Sequence, residues 1–200
     1  MVTAKLYVEG GGDGQALRTR CRQGFAEFLR KAGFNEKMPR IVACGSRSEA
    51  YDRFSGAATH GTENLSILLV DSEDRVTAVS PWTHLLTRDG WSKPTWATDD
   101  HAHLMVQCME SWLLADKTNT ARYFGPGFDE SKLHTTANVE EVSKNNLMDG
   151  LKRATKNVRG KPGYSKRDDS FAVVGFLDPN VVRRNSHSAN RFLQTLERLL

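Results

Sequence analysis

Leu65-Ser66-Ile67-Leu68-Leu69-Val70, followed at once by Asp71-Ser72-Glu73-Asp74, is the stretch on which the fold of this chain turns. An almost unbroken apolar run of strand length, bounded by acids, is the pattern of a strand buried on both faces, as in a parallel sheet. Upstream, residues 40–44 (RIVAC) follow Pro39 as a second strand, and residues 4–8 (AKLYV) form another. Between those two, Leu17, Cys21, Phe25, Phe28 and Ala32 recur at helical steps, with Arg18, Arg22, Arg30 and Lys31 on the other faces. Asp13 stands where an N-cap is expected and Gly33 where a stop is expected. A second helix is expected over residues 47–58, burying Ala50, Phe54 and Ala57. Strand, helix, strand, helix, strand, with links long enough for parallel crossovers, predicts an α/β fold: a mostly parallel sheet flanked by helices.

Downstream, residues 81–100 read as a loop with a short helix. Residues 103–107 (HLMVQ) read as a fourth strand and 109–116 (MESWLLAD) as a short helix, with one continuous helix left open because the apolar run is short, and 124–128 (FGPGF) read as a turn. Leu147, Leu151, Ala154 and Val158 mark another helix, ahead of a basic loop at 159–167. Two helices close the chain, over 169–177 and 188–200; the second carries Ala189, Phe192, Leu193, Leu196 and Leu199 on one face. The expected division is a core at residues 1–116 and a mainly helical extension at 117–200 packed on it.

The 200 residues are 38% hydrophobic and 26% charged, which excludes both a disordered and a membrane-embedded chain. Lys+Arg 28 against Asp+Glu 24 leaves a net charge of +4, which permits a nucleic-acid partner without requiring one. Three scattered cysteines (Cys21, Cys44, Cys108) with no C-x-x-C argue against a disulfide scaffold and a cysteine zinc site. No apolar run follows the N-terminus and none approaches bilayer length, so neither a signal peptide nor a membrane partner is expected, and the expected location is cytoplasmic.

In an open parallel sheet, ligands bind beyond the carboxyl ends of the strands. Glu9 ends the first expected strand; Asp71 and Glu73 end the third. Carboxylates sharing one rim repel and raise each other's pKa, and a hard divalent cation, Mg²⁺ or Mn²⁺, relieves that repulsion. The bland alternative makes Glu9 a helix-cap partner and Asp71 the start of an ordinary turn. The glycine-rich Gly10-Gly11-Gly12-Asp13-Gly14 lacks the lysine of a P-loop. Gln15 and Leu17 stand where a dinucleotide fingerprint needs glycine, so a nucleotide cofactor is disfavoured. Two readings of the loop stay open: close approach of a phosphate or metal to the backbone, or a tight turn with no ligand. His101-x-His103 has no cysteine nearby and makes a poor transition-metal set. Trp82, Trp91 and Trp96 could stack on bases, meet a partner or pack their own loop.

Val8-Glu9-Gly10 and Asp71-Ser72-Glu73 resemble the two metal-binding motifs of the TOPRIM fold found in topoisomerases, DnaG-type primases and overcoming-lysogenization-defect nucleases. Glutamate replaces the second aspartate of D-x-D, which keeps the charge and lengthens the arm; Asp74 is a candidate to compensate. YVEGGGD, RIVACGSR, LLVDSED, HLMVQCMESWLLAD, DGLKRATK and GYSK together resemble a bacterial TOPRIM-like family of unknown function. Its members are often found beside AAA- or ABC-type ATPases in phage-defence islands. The resemblance implies a TOPRIM (Rossmann-like) sheet and an ATPase partner. It makes Glu110 a further acid of the site, against a solvated helix-start glutamate. It makes Lys166 a stabiliser of charge on a scissile phosphate, against a solvated loop lysine.

Residues 145–167 hold seven basic side chains (Lys152, Arg153, Lys156, Arg159, Lys161, Lys166, Arg167) against one acid, Asp149. Such a cluster fits either a phosphate-backbone track or a solvated helix face. The combined expectation is a metal-dependent nuclease acting on DNA or RNA, tRNA included, with Glu9, Asp71 and Glu73 on the metal and Glu110 and Lys166 assisting. The alternative is a non-catalytic binding subunit of an ATPase complex; a weaker third is primase-like nucleotidyl transfer. Self-association into a homo-oligomer is left open.

Overall fold

Thr3–Gly11 (β1), Arg40–Gly45 (β2), Asn64–Asp71 (β3) and Ala102–Met105 (β4) form a parallel sheet in the order β2-β1-β3-β4. The computed structural model describes residues 3–12, 14–57, 64–160 and 163–200. β4 begins one residue before the expected 103 and ends before the expected 107. The ladder breaks there, yet Ser72 N still donates to Met105 O (2.9 Å) and Glu73 N to Gln107 O (2.8 Å). The chains leaving β3 and β4 therefore stay tied together.

Alternation along the strands places a separate apolar core on each face of the sheet. Leu6, Val8, Ile67 and Leu69 belong to one core; Tyr7, Leu68 and Val70 belong to the other. The helices Arg47–Ser55 (α2) and Pro81–Asp89 (α3) cover the second face through Ala50, Phe54, Trp82 and Leu85. Gln15–Lys31 (α1) covers the first face through Cys21, Phe25, Phe28 and Leu29. It starts at Gly14, which offers no side-chain cap; Asp13, the expected cap, lies outside the described residues. α2 stops at Ser55, short of the expected 58.

The larger core also takes in Glu110–Ala115 (α4), Lys117–Phe124 (α5), Lys144–Ala154 (α6), Ser170–Phe176 (α7), Pro179–Asn185 (α8) and His187–Leu199 (α9). Trp112 of α4 is fully buried, stacked on Phe28 of α1 at 5.0 Å between centroids and on Phe192 of α9 at 6.3 Å. α1 and α7 approach so closely that a Cβ on Gly24 would lie 2.1 Å from the Phe171 carbonyl oxygen. α5 and α8 were not expected. Each is too short to show helical periodicity, but each carries its cap: Asp116 accepts from Asn119 N and Asp178 from Asn180 N, with Pro179 in the first turn of α8. Asp178-Pro179 thus follows α7 and starts the next helix at once.

Among the described residues, no helix is long and apolar enough to cross a membrane. All three cysteines are free and buried.

Candidate metal centre

Glu9 and Asp71 meet because of strand register. Val8 pairs with Leu69 across β1 and β3, so Glu9 runs alongside the last residues of β3. Its Oε2 accepts a hydrogen bond from Asp71 N at 3.0 Å. The Asp71 side chain is 4% exposed, and its Oδ1 accepts from Met109 N at 2.8 Å, ahead of α4. Glu73 adopts φ 65°, a left-handed conformation that costs a residue with a side chain about 1 kcal/mol or more. Glu9, Asp71 and Glu73 each offer an oxygen, and these oxygens all lie within 4.8 Å of one another. This acidic cluster can in principle coordinate a divalent metal, and three carboxylates are the donor set that hard cations select.

Cations surround the acids. Lys144 Nζ, at the start of α6, lies 2.6 Å from both Glu73 oxygens and 4.0 Å from Asp71 Oδ2. Lys166 Nζ lies 3.7 Å from Asp71 Oδ2 and 3.7 Å from Glu110 Oε2. Arg47 approaches Glu9 Oε2 at 3.8 Å, donates to the Asp71 carbonyl and pairs with Asp89 at 2.6 Å. Its guanidinium also lies over the Trp91 ring, 4.8 Å from the centroid. Arg47 thus ties the end of β3 to α2 and to the end of α3.

Burial, reinforced by the charge on Glu9, pushes the Asp71 carboxyl up to about 8. Burial also raises Glu9, against the Asp71 hydrogen bond and the Arg47 charge. Burial acts downward on the Lys166 ammonium, but the Glu110 and Asp71 carboxylates outweigh it and its pKa is raised. The cluster therefore holds more negative charge than its buried surroundings readily accommodate, the condition that a bound cation corrects.

Glu110 is fully buried at the start of α4. Its Oε1 accepts from the Tyr164 hydroxyl at 3.0 Å, while Oε2 has no hydrogen-bond partner and faces the Lys166 ammonium at 3.7 Å. Burial and the Glu110 charge push the Tyr164 hydroxyl well above its ordinary value, so it stays protonated as a donor. Burial, with the Glu110 and Asp71 charges, likewise raises Cys108, which stays a thiol.

The glycine run shapes the space in front of the acids. Gly10, Gly11 and Gly12 have φ of 135°, 93° and 45°, and Gly10 and Gly11 both face Gly45 across a bulge. A Cβ on Gly10 would lie 2.7 Å from Phe171 Cζ, and one on Gly11 would lie 2.8 Å from Arg18 Cα. These two glycines are required by the protein's own packing. Beyond them opens a cleft of about 710 Å³ that reaches from Glu9 and Asp71 to Arg20 and Arg167.

The candidates drawn from the sequence separate into groups. Glu9, Asp71 and Glu73 converge, and Lys166 joins Asp71 to Glu110. Arg167 lines the cleft. Lys152, Arg153, Lys156 and Arg159 are exposed but are not among its lining residues, and Lys161 lies outside the described residues. Asp74 does not compensate for Glu73: it is exposed and pairs with Arg88 at 3.0 Å. His103 is buried, with Nε2 3.0 Å from Asp100 O and Nδ1 3.0 Å from Arg191 Nη1. Trp82 is buried with its N–H on Thr98 O, Trp96 packs on Phe54 and Trp91 stacks on Tyr51, so these rings pack their own segment. Arg47, Lys144 and Tyr164 were not singled out. Arg47 and Tyr164 do lie inside the quoted RIVACGSR and GYSK segments; Lys144 precedes the basic stretch by one residue and carried no signal.

The model of the Domain of unknown function (DUF4276) matches residues 8–197. The chain belongs to the DUF4276 family. The match begins just before Glu9 and ends in α9, so this family member carries the acids, the lysines and the cleft within the matched region. No curated protein and no solved structure matches the chain significantly.

Proposed function

We propose that this DUF4276 member is a Mg²⁺- or Mn²⁺-dependent phosphodiesterase acting on DNA or RNA, of the TOPRIM kind that its E-G and D-x-E motifs resemble. The observation that carries the reading is the convergence of Glu9, Asp71 and Glu73 within 4.8 Å at the carboxyl edge of a parallel sheet, beside an open cleft. Those three side chains would hold the metal. A bound divalent ion lowers the pKa of water and neutralises charge developing on a phosphoryl group. Lys166, half-exposed and raised in pKa by its acidic neighbours, presents a fixed positive charge to the same space. Glu110 and Tyr164 hold that lysine's surroundings in place from below the surface. An AAA- or ABC-type ATPase partner, a phage-defence role and a cytoplasmic site of action accompany this reading on the strength of the resemblance.

The test measures Mn²⁺ binding by electron paramagnetic resonance, and cleavage of labelled DNA and tRNA, for wild type, Glu9→Gln and Asp71→Asn. Each protein is assayed alone and together with any AAA- or ABC-type ATPase encoded next to its gene. Binding and cleavage by wild type, both lost in the variants, are expected. Equal cleavage by wild type and variants overturns the assignment.

One observation favours a second reading. The two short contacts from Lys144 to Glu73 already neutralise part of the cluster without metal, as in a purely structural ion-pair network. On that reading the chain is a non-catalytic subunit. Mn²⁺ would then fail to bind wild type, while Glu73→Gln would lower thermal stability.

A further inference from the structure

The cleft in front of the acids has walls that a phosphate does not need. Lys166 lies at its acidic end with Glu9 and Asp71, and Arg20 and Arg167 line it as well. The rest of the lining is mainly apolar side chain or glycine backbone, with Ala16, Leu17, Met109 and Phe171 contributing side chains and Ser170 and Asp168 adding polar groups. A Cβ on Gly14 would meet nothing within 4 Å, and one on Gly12 only Leu17 at 3.5 Å, so both glycines face open space. Phe171 is held from behind, its ring against Gly10 and beside Phe25 at 6.4 Å. The apolar surface is therefore backed by the core.

The pattern is a mainly apolar recess bounded by cations, next to carboxylates suited to a metal. A volume of about 710 Å³ is ample for a nucleotide. A duplex presents only phosphates and groove edges, because its bases are stacked and paired. An unpaired nucleotide presents a flat apolar ring within reach of its own phosphate. We propose that this cleft seats an unpaired nucleobase of single-stranded DNA or RNA, with Arg20 and Arg167 on the flanking phosphates, so that the protein selects single strands and frayed or overhanging ends over blunt duplex. The inference rests on the phosphodiesterase reading for its choice of ligand and adds the substrate class.

Arg20 supports the placement. Its Nη1 lies 3.4 Å from Asp168 Oδ1, an exposed pair that joins α1 to the turn before α7, and both residues line the cleft. A surface pair of this kind contributes little to stability, about 0–1 kcal/mol, so exchanging it for a phosphate contact is inexpensive.

The test reads equilibrium binding by fluorescence anisotropy with Ca²⁺ in place of Mg²⁺, so that cleavage does not intrude. The probes are a labelled single strand, the same strand with one central abasic site, a blunt duplex, and that duplex with an unpaired three-nucleotide overhang. Single strand and overhang are expected to bind about tenfold or more tighter than blunt duplex, and the abasic site to remove most of that advantage. Ala16→Trp, which fills the recess from an exposed position on α1, is expected to abolish the preference. Equal binding of single strand and blunt duplex, indifference to the abasic site, or no binding of any oligonucleotide overturns the inference. The abasic comparison needs no variant, so a misfolded Ala16→Trp leaves the question decided. Mn²⁺ binding to wild type is measured in parallel. If it persists while the strand preference is missing, the substrate inference fails alone; if it is absent, the metal reading fails on its own account.

Discussion

Replacing Lys144 with methionine is expected to act in opposite directions on the metal-free and metal-bound protein. The ammonium lies 2.6 Å from both Glu73 oxygens and 4.0 Å from Asp71 Oδ2, on a side chain 31% exposed. Charge-assisted hydrogen bonds in such partly buried positions contribute about 1–2 kcal/mol net, because desolvation and solvent screening cancel most of the Coulomb attraction. Lys144→Met keeps the aliphatic length and removes only the charge. Without metal it leaves the Glu73 carboxylate without its short cationic partner, and stability in EDTA should fall by about 1–2 kcal/mol. A divalent cation entering the cluster must displace or repel the same ammonium. Removing that competitor should therefore raise Mn²⁺ affinity, about tenfold for each 1.4 kcal/mol of released competition. The assay is a pair of titrations: urea denaturation in EDTA, and Mn²⁺ binding followed by electron paramagnetic resonance. Weaker Mn²⁺ binding by Lys144→Met would show that Lys144 orients Glu73 for the metal rather than competing with it. Unchanged stability together with unchanged affinity would show that the contact has no energetic role.

Further expectations come from groups elsewhere in the network and core. The Asp71 carboxyl titrates near 8 in the folded chain against about 3.8 unfolded, so the stability it contributes is full below the unfolded value and is lost as pH rises through about 8. Metal must displace that proton, so apparent Mn²⁺ affinity should climb about tenfold per pH unit up to about pH 8 and then level off, whereas a flat profile from pH 6 to 8 would refute the shift. His103 is shifted the opposite way, to about 3, by burial first and by the Arg191 charge second. The stability it contributes is present above 6.5 and declines by about 1.4 kcal/mol per pH unit as pH falls from there toward 3. His103→Gln should flatten that part of an acid-unfolding curve. Gly24→Ala should destabilise the fold by about 2 kcal/mol or more in urea melts, because its Cβ would lie 2.1 Å from the backbone oxygen of Phe171. A neutral effect there would mean that α1 and α7 separate readily.

Local pattern was enough to read the sheet. An apolar run ending in acids identifies β3 and a three- and four-residue repeat identifies α1; Asp71 does end β3, whereas Glu9, expected to end the first strand, lies within β1, which runs on to Gly11. These features are legible because burial on two faces, helical periodicity and strand termination all leave marks within ten or so neighbouring residues. α5 and α8 escaped because a helix of two turns is held by its cap and its packing rather than by a repeat.

The electrostatics of the site were decided only in three dimensions. Lys144 reaches Glu73 from α6, Lys166 joins Asp71 to Glu110, and Arg47 holds the end of β3 from α2. Most of the basic stretch, which composition alone could not divide, lies outside the cleft, while Arg20 of α1 enters it. Amino-acid order specifies which segments form and what charges they carry. Which charges come within a few ångströms depends on strand register and on how helices far apart in the chain dock, and Coulomb energies and desolvation costs depend on those distances.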